Sequence, residues 1–142
     1  KTSAGLNGSN NSNSPHPDID YPMLRLGDVY LMMAEASFRL GDAGTALQYV
    51  NAIRERAYGD NLHNLASLSL SDLIDERARE MQWEATRRTD LIRFGLFSGS
   101  TYVWPFKGGD VAGTSIDAHL ELYPIPTSDI ILNPNLIQNP GY

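Results

Sequence analysis

Leu70–Phe97 reads LSDLIDERAREMQWEATRRTDLIRFGLF, and the fold turns on how this stretch is placed. It holds five of the chain's eleven Lys and Arg residues, and no Pro or Gly interrupts it before Gly95. Wound as a helix at about 100° per residue, it sets Ile74, Ala78, Met81, Ala85 and Ile92 on one stripe, which reads as a core face. Glu76, Glu80, Glu84 and Arg87 form a second stripe, with Leu73 and Leu91 inside it and Trp83 and Phe94 along its far edge. Asp72, Asp75, Arg79, Gln82, Thr86 and Arg93 are left as the solvent face. The carboxylates of the second stripe therefore lie in apolar surroundings.

An unpaired buried carboxylate costs several kcal/mol, so these glutamates require cations. Arg77, Arg87 and Arg88 lie within reach along the helix, and neighbouring helices must supply the rest. Two readings follow. One is a pair of catalytic carboxylates, as in glycoside hydrolysis. The other is a structural seam of ion pairs that fixes how helices dock. The interleaved arginines, and the lack of a local aromatic or Gly-rich cleft signal, favour the seam. It is expected to comprise Glu35, Arg54, Glu80, Glu84 and Arg87, with the carboxylates buried and Arg54 and Arg87 as their partners. No catalytic residue is assigned.

The start of the helix is written locally. Ser69 suits an N-cap with Asp72 at the third helical position, a capping box, and Leu68 and Leu73 suit a hydrophobic staple. Gly95 ends it. The pattern leaves open whether the helix is straight or bends near Ala85–Arg88.

With 142 residues the chain is one domain or a piece of one, and 42% hydrophobic residues suffice for a core. It has no apolar run long enough to predict a membrane-spanning helix, and its first residues lack the apolar core of a signal peptide. A mature secreted protein and an excised fragment would both look this way. The net charge of −6 argues against nucleic-acid partners and anionic membrane surfaces. The absence of cysteine excludes disulfides, thiolate metal sites and a cysteine nucleophile.

Residues 1–21, rich in Gly, Ser, Asn and Pro, read as a flexible loop or linker. Leu24–Leu40 then turns helical: Leu26, Val29, Met33, Ala36 and Leu40 step by three and four, and Leu31, Ala34 and Phe38 make a second apolar face. Such a helix is sandwiched between neighbours. A second amphipathic helix spans Ala43–Ala57 after the Gly41–Asp42 turn, with Val50 and Ile53 on its apolar face. The pair has the size of one tetratricopeptide hairpin. His63 and the His119/Glu121 pair lack metal-ligand spacing, so neither metal nor cofactor is assigned.

Residues 98–119 are irregular. Tyr102, Trp104 and Phe106 alternate around Pro105, ahead of Gly108–Gly109. The alternation suits a short strand packing on the helices, the favoured reading, and it also suits a platform for a sugar ring. Tyr102 and Trp104 are the candidate ligand contacts. Leu120–Pro126 reads as extended, Thr127 or Ser128 as the cap of a single turn through Leu132, and the tail as a surface belt pinned by Leu136 and Ile137.

Three blocks together resemble the C-terminal part of SusD/RagB-type proteins. They are LRLGDVYLMMAEASFRLGD…ALQYVNAIRERA over residues 24–57, ERAREMQWEATRRTDLIRFG over 76–95, and LYPIPTSDIILNPNLIQNPGY over 122–142. The middle block is similar to the family's ERR-x-EL-x-FEG-x-R-x-x-DL-x-R-W-G, with Ala78 where Arg is frequent and Ala85 where Gly is usual. The resemblance implies an all-α, tetratricopeptide-like fold with an irregular C-terminal cap. Residues 22–142 would be the C-terminal part of a nutrient-binding outer-membrane lipoprotein. Its implied partners are a SusC-type TonB-dependent transporter, a glycan or other nutrient, and the N-terminal part of the same protein. The protein would face outward on the outer membrane, anchored through a lipidated N-terminal cysteine absent from this chain. The family is not enzymatic, and its matching blocks are structural, so no ligand role passes to Glu76, Glu80, Glu84 or Arg87. A helical-repeat scaffold binding only protein is the alternative. If the chain is such a part, its first helix should expose an apolar face.

Overall fold

The structure is a computed structural model that describes residues 22–142. The linker expected over residues 1–21 lies outside them. The architecture is all-α. Helix α1 (Leu26–Arg39) and helix α2 (Ala43–Tyr58) form a hairpin, helix α3 (Leu70–Glu80) packs on α1, and short helix α4 (Arg87–Arg93) follows it. An irregular cap then runs to the C-terminus. It carries two 3₁₀ turns, Lys107–Gly109 and Ala118–Glu121, and helix α5 (Thr127–Leu132).

The hairpin is closed by local chemistry. Gly41 takes φ +88° after α1, a backbone shape that glycine adopts without steric cost. Asp42 then caps α2 by accepting from the Thr45 amide at 3.0 Å. Ala34 and Ala46, both fully buried, are small enough to let the helices approach closely. Leu31, Ile53 and Met81 form one core cluster, and Ala34, Val50 and Leu73 a second, flanked by Phe38, Tyr49, Leu65 and Phe94. Each buried Leu or Ile contributes about 2 kcal/mol of transfer free energy. The loop after α2 is pinned by Asn51, whose amide exchanges two hydrogen bonds with the Leu65 backbone, at 3.0 and 2.9 Å.

The inward face of α1 is the Leu31/Ala34/Phe38 face. The Leu26–Val29–Met33–Ala36–Leu40 stripe faces outward, with Leu26 65% and Leu40 87% exposed. This is the exposed apolar face expected of a sandwiched helix missing one neighbour.

The decisive stretch departs from a single long helix. Its start is as expected: Ser69 and Asp72 make the reciprocal capping box. The helix nevertheless stops at Glu80, and Trp83 and Ala85 take φ +67° and +58° before α4 begins at Arg87. The cause is tertiary. The Glu80 carbonyl, which a continuing helix would pair with Glu84, accepts instead from Arg25 Nη2 at 2.5 Å. The break turns the second half of the stretch, so positions beyond Met81 leave their helical stripes. Trp83, expected along an apolar edge, is 92% exposed.

In the cap, no strand forms around Tyr102–Phe106; one antiparallel bridge between Gly99 and Ile116 closes the loop instead. The tail is a belt held mainly by polar contacts. Ile137, expected as a pin, is 87% exposed. Gln138 instead clasps the Ile125 backbone at 2.8 and 2.9 Å, and Asn139 and the Tyr142 hydroxyl donate to the carbonyls of Tyr123 and Leu122.

Candidate functional site

The buried carboxylates are all paired. Glu76 accepts from Arg54 at 2.7 Å and from Arg79 at 2.7 Å. Glu80 is bridged by Arg25 and by Arg56, the latter at 2.6 Å, and Glu84 by Arg25 at 2.7 Å. Glu35 receives Arg93 at 2.9 Å and Arg39 at 2.9 Å. Asp90 and Asp28 flank the buried Arg77 at 2.9 and 3.0 Å. The seam thus ties the segment before α1, α1, α2, α3 and α4 to one another.

Two expected partnerships need correction. Arg87 binds no seam carboxylate: it donates to the Ile74 carbonyl at 2.9 Å and to the Tyr102 hydroxyl at 2.8 Å. Arg88 reaches away to the Leu120 carbonyl at 2.6 Å and lies over the Phe97 and Tyr123 rings. The break at 81–86 turns both away from Glu84. Arg54 is a seam partner, of Glu76. The residues missed in the sequence are Arg25 and Arg93, the first isolated ahead of α1 and the second placed on the solvent face.

This electrostatics suits structure rather than acid catalysis. Burial raises the Glu35 pKa, but hydrogen bonds from Arg93 and Arg39 outweigh it and hold the carboxyl below the usual range. A general acid needs the opposite shift. Among the described residues, no three His, Cys, Asp or Glu side chains are grouped to hold a metal.

The other candidate is the 98–119 loop, built on Lys107. Its side chain is fully buried, and its ammonium donates to the Tyr102 carbonyl and lies 4.8 Å from the Trp104 ring centroid. Gly113 lets the chain fold back on Trp104, since a Cβ there would meet the Trp104 carbonyl oxygen at 2.2 Å. Tyr102 is half-buried, held by Arg87, and its ring lies 5.4 Å from Trp104. Trp104 remains 38% exposed and Phe106, at φ +67°, 67% exposed. The loop therefore offers Trp104 and Phe106 to solvent, while Tyr102 braces Trp104.

The SusD family model matches residues 5–142. The chain belongs to the SusD family. Over 131 residues it is 44% identical to the starch-binding protein SusD of Bacteroides thetaiotaomicron, covering 92% of this chain and 23% of that one. SusD-like protein P25 of Formosa agariphila is 34% identical over 129 residues, 84% of this chain and 24% of the relative. Two solved structures are similar. A putative sugar binding protein of Bacteroides vulgatus gives TM-score 0.66 at 32% identity, covering 85% of this chain and 28% of that one. A SusD superfamily protein of Bacteroides fragilis gives 0.66 at 32% identity, covering 87% and 28%. The chain thus spans about a quarter of the length of its SusD relatives. Ala85, which stands where the family usually has Gly, occupies a left-handed backbone position.

Proposed function

We propose that this chain is part of a cell-surface protein that captures oligosaccharides and passes them to a SusC-type TonB-dependent transporter. The observation that carries this reading is the 44% identity to a starch-binding relative across nearly the whole chain. The protein binds rather than transforms its ligand. In support, the carboxylates of the seam are each held in an ion pair by an arginine, the arrangement of a docking seam. It is held outward on the outer membrane by a lipidated cysteine outside this chain. The exposed stripe of α1 is the seat for another part of the same polypeptide.

Ligand contact falls to the loop braced by Lys107. A sugar presents a flat C–H face, which Trp104 can meet while Tyr102 holds the indole in place. Trp104→Ala in the complete gene product is the test. Glycan affinity should fall by about 1–3 kcal/mol, the scale of base stacking on aromatic rings, with the melting temperature unchanged. Unfolding without a specific loss of binding would assign Trp104 to the packing of the cap.

A further inference from the structure

Trp83 is the most exposed large apolar side chain among the described residues, at 92%. Its backbone sits at φ +67°, where a bulky residue meets steric opposition. Strain of this kind gathers where a fold is made to present a group. What imposes it is the halt of α3 under Arg25, which turns the indole away from the core. Beside the ring lies a hollow of about 280 Å³, with walls that include Arg77, Met81, Gln82, Thr86 and Arg87.

We propose that Trp83 and this hollow form a second glycan contact, separate from the 98–119 loop, which takes one hexose ring of an oligosaccharide. The C–H face of the sugar lies on the indole, and its hydroxyls meet the polar wall at Gln82 and Arg87. The hollow lies just under the usual size of small-molecule pockets, about 300 Å³ and upward, so it suits a single ring. The proposal rests on the glycan-binding reading given above.

The test uses the complete gene product and a panel of maltoheptaose, cellohexaose, xylohexaose and mannohexaose. Hydroxyl-radical footprinting with mass spectrometry reads the exposure of Trp83, and calorimetry compares the wild type with Trp83→Gly. Glycine removes the ring and relieves the left-handed backbone, so the variant does not ask the chain to move. The expected result is that Trp83 is oxidised in the free protein and protected by the sugar that binds best. Trp83→Gly should weaken that sugar roughly tenfold or more, as for ring stacking, with the melting temperature unchanged or raised. A Trp83 already protected without sugar, with a lowered melting temperature in Trp83→Gly, overturns the site and assigns the ring to contact with another part of the polypeptide. Undiminished sugar binding by Trp83→Gly also overturns it while leaving the glycan reading intact. A wild type that binds no member of the panel overturns both.

Discussion

Ala85 sits at φ +58° and is exposed, so its methyl group contributes little packing and sits in a region that disfavours any Cβ. Ala85→Gly should therefore stabilise the chain by about 1 kcal/mol in urea melts. Arg25 is the opposite case. One guanidinium holds Glu80, Glu84 and the Glu80 carbonyl, and all three side chains are largely buried. Removing it withdraws one cation from two largely buried carboxylates, with the exposed Arg56 still on Glu80, so Arg25→Ala should cost about 3 kcal/mol, against less for either glutamate changed to glutamine. Glu35 makes a pH prediction. Its folded pKa lies below its unfolded value, since Arg93 and Arg39 outweigh the effect of burial. Its contribution is then complete above the ordinary glutamate pKa of about 4.3 and is lost as pH falls below it. Glu35→Gln should flatten the acid limb of the stability–pH curve and leave its neutral limb level.

Elements were legible where their signals lie within a few residues. The Ser69–Asp72 capping box is contained in four consecutive positions, and so is the Gly41–Asp42 turn, and both form as read. The end of α3 was not legible, because the group that takes the Glu80 carbonyl comes from Arg25, before α1. Helix α1 shows the same limit in another form. Its periodicity marks two apolar faces, but which one turns inward depends on where Val50 and Leu73 lie. The candidate loop was legible in its residue types and not in its hub, since nothing in the sequence singles out Lys107 as fully buried. The outward stripe of α1 carries its own test. Leu26→Glu, Met33→Glu and Leu40→Glu together should leave the helical circular dichroism of this chain intact and reduce its binding of hydrophobic dye. In the complete gene product the same changes should lower the melting temperature if the stripe is the seat proposed above for another part of the polypeptide. Loss of helix in the isolated chain would show that the stripe is needed within the hairpin.

At the scale of the molecule, the acidic balance of the chain coexists with a core in which carboxylates and arginines are matched across five segments. A buried ion pair is weak evidence for stability, but a network linking every helix of the hairpin region specifies one docking arrangement. The SusD family match spans residues 5–142 and so takes in the whole of this network. The resemblance lies in the blocks that carry Arg25, Glu80, Glu84 and Arg93. Function is less local, since the chain spans about a quarter of its relatives' length. The most direct measurement is therefore calorimetric titration of the complete gene product with a panel of oligosaccharides, followed by assay of the same mixtures for newly formed reducing ends. The account predicts saturable binding of at least one sugar with no reducing ends released. Release of reducing sugar, or no binding to any glycan, would contradict it.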